Sequence, residues 1–501
     1  MTTTVTDVDE TAVRDFEETF RGELIRPVDP AFDEARTIYN AMIDKRPGMI
    51  ATCTDVADVI EAVNFGRDHD LNIAVRGGGH NGPGLALVDD GLVIDLSEMT
   101  GLRVDPEART VRVEAGCTWG DVDHATHAFG LATVSGVIST TGVGGLTLGG
   151  GHGYLTRMYG LTIDNLLSAD VVLADGRFVH ASADEHPDLF WALRGGGGNF
   201  GVVTSFEFRL HPVDTVVAGP LFWPLDELET TMRWYRDWLA QAPEDVYAFY
   251  LVAEVPGDPF PEEIHGENVC GLMWCYLGPE ERVKAVTQPA REVAEPLFEH
   301  IGAMPYPALQ SMFDALYPPG DQWYWKGNFV RELSDEAIAE HRRFADVPTA
   351  QSTMHLYPVN GAVHRVGTDE TAWSYRDANW SMVIAGVDPD PDNKETITEW
   401  TRDYWQALYE HSADGAYINF MMEEGMDRIR ATYGSNYERL REIKTKYDPN
   451  NVFHVNQNIE PATQVGSTGS RCQWLRARNP PHSDRTRSSR LRSAVLLGVT
   501  F

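Results

Sequence analysis

Basic side chains are scarce in this 501-residue chain: 41 Lys and Arg stand against 75 Asp and Glu, for a formal net charge of −34. Such a surface repels a polyphosphate backbone, which excludes nucleic-acid binding as a function class. The acids are spread along the chain rather than gathered in one tail. A surface built to stay hydrated at high salt is one physical reading of that spread. Cysteine is nearly absent, with five residues (53, 117, 270, 275 and 472). Cys270 and Cys275 have no second pair to complete a zinc site, so free buried thiols are expected and no metal is. Long hydrophobic runs are also missing. No stretch reaches the roughly 18 apolar residues that read as a membrane span, so no membrane partner is expected. The N-terminal Met1-Thr-Thr-Thr-Val-Thr-Asp7 lacks the basic and apolar regions of a secretory signal, and a cytoplasmic protein is expected.

Glycine is plentiful, and it is clustered. Arg76-Gly77-Gly78-Gly79-His80-Asn81 follows the apolar run Leu71–Val75, which reads as a short buried strand. The chain continues through Gly82-Pro83-Gly84 and re-enters a strand at Gly91–Asp95. Three consecutive glycines let a backbone pass very close to a ligand, because no Cβ blocks the approach. A second cluster starts at Ser135-Gly136 and runs from Thr140-Thr141-Gly142 to His152-Gly153-Tyr154. Seven of the twelve residues from 142 to 153 are glycine. A flexible linker is glycine-rich too, but Val143, Leu146 and Leu148 interrupt this one. Close packing around an anionic ligand fits better, with free N–H groups aimed at phosphate oxygens. A nicotinamide-binding Rossmann unit is disfavoured. Gly-Gly-Gly-His is not Gly-x-Gly-x-x-Gly, and no acidic ribose partner follows at the expected spacing.

Further motifs join these loops: Tyr159-Gly-Leu-Thr-Ile-Asp164-Asn165, the strand Ala169–Ala174, and Pro187–Thr204 with its Arg194-Gly-Gly-Gly-Gly198-Asn199. Near the C-terminus come Tyr417-Ile-Asn419, Tyr433–Leu440, and Lys444-Thr-Lys-Tyr447-Asp448-Pro449 with Phe453-His-Val-Asn456-Gln457. In this order they resemble the FAD-binding domain of the vanillyl-alcohol oxidase / p-cresol methylhydroxylase superfamily. Within it the chain is similar to the berberine-bridge-enzyme-like oxidases, and most to the 6-hydroxynicotine-oxidase-like members, over roughly residues 30 to 461. The resemblance implies an α+β fold: a two-subdomain FAD-binding domain of the p-cresol-methylhydroxylase type, and a substrate domain with an antiparallel sheet covered by helices. The domains are then an acidic segment (1–29), the FAD-binding domain (30–218), the substrate-binding domain (219–414) and a return to the FAD domain (415–465). Residues 466–501 hold seven Arg and one acid, Asp484. They fall outside the resemblance and read as a basic appendage without regular structure. Thr54–Phe65 reads as an N-capped amphipathic helix. Strand-like runs appear at Tyr247–Ala253, Gly271–Tyr276, Thr371–Tyr375 and Trp380–Ile384.

By the same resemblance the cofactor is FAD, the hydride acceptor, joined covalently through His80. Many relatives add a second link from a cysteine, but Ile138 stands there, so a single bond is expected. The pyrophosphate falls to the backbone of Gly77, Gly78 and Gly79 and of Thr140, Thr141, Gly142, Gly144 and Gly145. Arg76, Asn81, Gly150, Gly153, Asn165, Val203, Asn419 and Asn456 complete the expected cofactor set. The proton acceptor is expected at Tyr417, since tyrosines near this motif serve as bases in related oxidases; Phe420 occupies the place of a second tyrosine. Tyr324 and Tyr375 are expected to touch substrate. His355 and His364 are further base candidates without a motif, and His152 reads as a loop residue. Thr141 stands where a small Val admits oxygen in relatives and Leu blocks it. The implied activity is oxidation of a small organic alcohol, sugar or amine, with O2 reoxidising the flavin to give H2O2. A dehydrogenase with another electron acceptor, and a redox-inactive flavin-binding protein, stay open.

Overall fold

The computed structural model describes residues 3–462. The basic segment 466–501 lies outside the described residues. A four-stranded sheet comes first, in the order Glu23–Ile25, Met49–Thr52, Leu92–Asp95, Ile73–Arg76. Its last three strands are parallel and buried, as their continuous apolar runs require. The helix Val56–Asp68 makes the crossover between two of them. Its cap is Asp55 rather than Thr54: the Asp55 carboxylate accepts the N–H groups of Ala57 and Asp58, a contact worth about 1 kcal/mol. Thr54 instead donates its hydroxyl to Asp58 at 2.8 Å.

A five-stranded antiparallel sheet follows, ordered Leu102–Asp105, Thr110–Glu114, Val202–Arg209, Leu166–Val172, Phe178–Ser182. Residues of both sheets and of the C-terminal helix Tyr437–Tyr447 share one hydrophobic core, in which Ile94, Val171, Phe206 and Leu440 are buried.

The third sheet has eight strands. Its main path is Phe298–Glu299, Thr215–Pro224, Asn268–Tyr276, Val246–Glu254, Thr353–Pro358, Trp380–Asp388, Gln322–Val330. The first long strand begins at Thr215 and so runs across the boundary expected at residue 218. Successive side chains of a strand point to opposite faces. Ala248, Tyr250 and Val252 therefore pack with the helices Leu228–Leu239, Asp335–Phe344 and Lys394–Leu408. Tyr247, Phe249 and Leu251 pack on the other side, with Tyr154, Leu155 and Tyr357. The result is the α+β architecture that the sequence implied. One strand-like run does not form: Thr371–Tyr375 is irregular, and its aromatic residues pack inward on Phe329 at ring distances of 5.0 and 4.7 Å. Among the described residues no helix is long and apolar enough to cross a membrane.

Candidate active site

The two glycine loops touch each other. A Cβ on Gly78 would lie 2.5 Å from the Cα of Gly142, and one on Gly142 would lie 2.5 Å from the nitrogen of Gly78. No side chain fits at either position, so the crossing itself demands glycine. Gly82 is pressed in the same way on Trp325, which ties the first loop to the strand Gln322–Val330 of the large sheet. Between the loops and that sheet lies a cavity of about 360 Å³. Gly77, Gly78, Gly79, Asn81, Thr141, Gly142, Gly144 and Gly145 line one end, together with Val203, Asn419 and Asn456. A Cβ added to Gly145 or to Gly198 would meet nothing within 4 Å. Both face the space that a ligand needs. The other end is the sheet face carrying Trp323, Trp325, Thr353, His355, Tyr357 and Val383. No Asp, Glu, Lys or Arg lines the cavity among the described residues.

His80 stacks on Tyr39 at 3.9 Å between ring centres, and its Nε2 pairs with the Thr140 hydroxyl at 3.1 Å. Burial holds its pKa down to about 4, so the ring is neutral. Nδ1 makes no hydrogen bond among the described residues; in the tautomer whose Nε2–H donates to Thr140, its lone pair is the one open to bond formation.

Tyr417 lines the cavity with its ring buried. Its oxygen accepts the Gly151 N–H at 3.1 Å and the Asn419 amide at 2.7 Å. Burial raises its pKa, and those two donors oppose the rise. His152 is more than a loop residue. It is buried in the cavity wall against Tyr417, Phe420 and Tyr357, and neither ring nitrogen has a hydrogen-bond partner among the described residues.

Seven cofactor or substrate expectations move elsewhere. Arg76 does not line the cavity; its guanidinium forms a buried pair with Asp95 at 2.6 Å and fixes the strand from which the loop departs. Thr140 serves His80 rather than the cavity. Gly150 packs against Trp373, and Gly153 against the carbonyls of Ser135 and Gly136. Asn165 donates to Tyr159 and Leu161 behind the second loop. Tyr324 points away from the cavity, because period two sends Trp323 and Trp325 inward and Tyr324 out to Arg402, whose Nε donates to its hydroxyl at 3.0 Å. Tyr375 also fails as a substrate contact: it is stacked on Phe329 and donates to the Ala431 carbonyl at 2.9 Å. His364 pairs with the Ala378 carbonyl, away from the cavity. Tyr39 and Tyr357 were not anticipated. The alternation Thr353-Met-His355-Leu-Tyr357 was the available signal, since it places three polar groups on one face of a strand.

An extended cavity with a glycine-built end, an apolar floor and a neutral aromatic end fits a dinucleotide that carries a planar redox ring, and so a flavoprotein active site. A family model described as FAD binding domain matches residues 47–182, and one described as berberine and berberine like matches residues 416–460. The FAD-linked oxidoreductase YgaK of Bacillus subtilis is 32% identical, over 88% of this chain and 97% of its own length. The (R)-6-hydroxynicotine oxidase of Paenarthrobacter nicotinovorans is 30% identical, over 88% of this chain and 97% of its own. The crystal structure of 6-hydroxy-D-nicotine oxidase from Arthrobacter nicotinovorans superposes with a TM-score of 0.79 at 27% identity, covering 88% of this chain and 98% of that one. The chain belongs to the berberine-bridge-enzyme-like FAD-linked oxidoreductases, within the p-cresol-methylhydroxylase-type superfamily, and it is an enzyme.

Proposed function

We propose that this enzyme oxidises an uncharged organic alcohol or sugar. The observation that carries this reading is the cavity wall: it is continuous from the glycine loops to the aromatic sheet face and holds no ionised side chain. His152 and His355 are both held near pKa 3 by burial, so they add no charge at neutral pH. A protonated amine or a carboxylate entering this wall would lose its hydration without gaining a counter-charge. When bound, FAD supplies the hydride acceptor and, on reoxidation by O2, yields H2O2.

The chain's own residues bind, orient and exclude water. Trp323, Trp325 and Phe420 offer an apolar aromatic wall to the substrate. Tyr417 has both oxygen lone pairs engaged by N–H donors, so its hydroxyl hydrogen is left for a substrate oxygen. His80 carries the single covalent link through its free Nδ1, and Ile138 lines the wall without a nucleophile for a second one. Thr141 borders the cavity as a small side chain that leaves O2 a path.

The test is an anaerobic screen for flavin bleaching, paired with an aerobic peroxide assay. The panel sets benzyl alcohol, 4-hydroxybenzyl alcohol and cellobiose against benzylamine and benzoate analogues. Bleaching by the uncharged members with stoichiometric peroxide is expected. Preferred turnover of a charged member refutes the substrate class, and bleaching without peroxide refutes the oxidase.

A further inference from the structure

The strand Thr353–Pro358 turns three polar side chains to the cavity, and they form a chain of hydrogen bonds. The Thr353 hydroxyl donates to the Val252 carbonyl at 2.9 Å. Thr353 Oγ1 lies 2.9 Å from His355 Nε2, and His355 Nδ1 lies 2.6 Å from the Tyr357 hydroxyl. A hydroxyl has one hydrogen to give. With that of Thr353 spent on a carbonyl, Nε2 must be the protonated nitrogen, and Nδ1 must accept from Tyr357.

We propose that Tyr357 takes the substrate's hydroxyl proton, with His355 Nδ1 receiving the tyrosine's own proton and Thr353 fixing the imidazole tautomer. The proposal rests on the reading of this cavity as an alcohol or sugar site. Tyr417 cannot play the same part. Both hydrogen-bond partners of its oxygen are donors, so no group bonded to it receives its proton as His355 does for Tyr357, and it positions substrate instead.

The step balances. The substrate O–H proton moves to the Tyr357 oxygen as the Tyr357 proton moves to His355. The carbinol C–H breaks, its electron pair leaves as hydride to the bound oxidised flavin, and C=O remains. His355 gains one positive charge as the acceptor gains one negative charge, so the cavity stays neutral overall. Before that charge arrives, burial holds His355 down to about 3 and raises Tyr357 above its ordinary range. The resting pair is therefore an uncharged imidazole and an uncharged phenol. The titratable neighbours are His152, 5.3 Å from the Tyr357 ring, and the tyrosines Tyr154, Tyr247 and Tyr317, none of which brings a charge.

Two measurements decide it. In ¹⁵N-histidine-labelled holoenzyme, with His355 assigned by its loss in His355→Gln, we expect protonated Nε2 and bare Nδ1, and a shifted Nδ1 resonance in Tyr357→Phe. An Nδ1-protonated ring overturns the relay whether or not a substrate is known. The second is anaerobic flavin reduction by the alcohol that bleaches the wild type fastest in the panel above. Tyr357→Phe should slow it about 10²- to 10⁴-fold, the usual range for a lost proton acceptor. Flavin content and O2 reoxidation of the photoreduced enzyme should not change. Tyr417→Phe should raise the half-saturating concentration more than it lowers the limiting rate. A Tyr357→Phe rate within a few-fold of wild type overturns the proposal. A panel that bleaches nothing counts against the substrate class alone, and the tautomer then decides the relay.

Discussion

Lys444 is wholly buried, and removing its charge should destabilise the cofactor end of the cavity by a calculable amount. Its ammonium donates to Asp448 at 2.6 Å, to the Asn199 carbonyl at 2.7 Å and to the Phe453 carbonyl at 2.9 Å, with both partners of the ion pair fully excluded from solvent. One side chain thus ties the helix Tyr437–Tyr447 to two segments that line the cavity, around Asn199 and around Phe453. Lys444→Met keeps length and apolar contact but leaves Asp448 charged and buried. Breaking a buried pair in this way costs about 3–5 kcal/mol. Unfolding entropy of about 2.1 cal/mol/K per residue gives about 1 kcal/mol/K for the roughly 460 described residues, so Tm should fall by about 3–5 °C. Lys444→Met/Asp448→Asn removes the orphaned charge and should recover part of the loss, with a coupling of about 1 kcal/mol or more. The assay is thermal unfolding of the holoenzyme by circular dichroism, with flavin release followed in the same scan. A Tm for Lys444→Met within about 1 °C of wild type refutes the clamp, and additive losses in the double variant refute the charge argument.

His80→Ala should leave the acid-precipitated pellet colourless and the supernatant yellow, while wild type keeps its colour in the pellet; a yellow variant pellet would place the link elsewhere. Thr141→Leu should slow O2 reoxidation of reduced flavin at least tenfold with little change in substrate reduction, read by stopped-flow absorbance; unchanged reoxidation removes Thr141 from the oxygen path. Gly78→Ala forces a Cβ to within 2.5 Å of Gly142 and should abolish flavin incorporation, measured by the absorbance ratio of purified protein. Asp123 is fully buried, neither carboxyl oxygen has a partner among the described residues, and burial lifts its pKa to about 7. The folded pKa lies above the unfolded one, so its contribution to stability is complete below about pH 4 and lost as pH rises through about 7, a loss of up to about 4 kcal/mol. Asp123→Asn should therefore gain Tm over wild type as pH rises from about 5 to about 8; a constant difference across that range refutes the assignment.

The cofactor end was legible because steric necessity writes itself into sequence. Where two backbones cross so closely that a Cβ added to one would lie 2.5 Å from the other, only glycine survives; the sequence displays those glycines as room for a ligand, and the crossing of Gly78 with Gly142 emerges only in the fold. The substrate end was read less well, for reasons of face and register. Trp323, Tyr324 and Trp325 are equally aromatic, and only the pleat decides that the two tryptophans look inward. Thr371–Tyr375 alternates like a strand, but it packs irregularly into the core beside Arg194 and Phe329, so Tyr375 never reaches the cavity. Arg76 was assigned to the cofactor from its place beside the glycines, whereas its partner is an aspartate on the neighbouring strand, a pairing that depends on sheet order. The Lys444–Phe453 motif was recognised, but its physical reason is a buried ion pair that sequence alone does not reveal.

Charge is segregated in this molecule in a way that bears on its chemistry. The whole chain carries −34, yet four buried ion pairs stand near the cavity: Arg76 with Asp95, Arg376 with Asp164, Lys326 with Glu424 and Lys444 with Asp448. Each pair stands behind a loop or strand that borders the cavity, and none of these side chains enters it. Inside, the polar groups are imidazoles, phenols, hydroxyls and amides. In such a space the charge that appears during reaction has no fixed counter-charge, and an unbalanced one would be strongly opposed. Hydride transfer creates a negative charge, and the proton removed from an alcohol must then stay nearby as a positive one. A phenol alone cannot hold it, but a phenol backed by an imidazole can. The absence of lysine, arginine and carboxylate from the wall therefore argues that proton and hydride move together, and that Tyr357 and His355 are the groups through which they do.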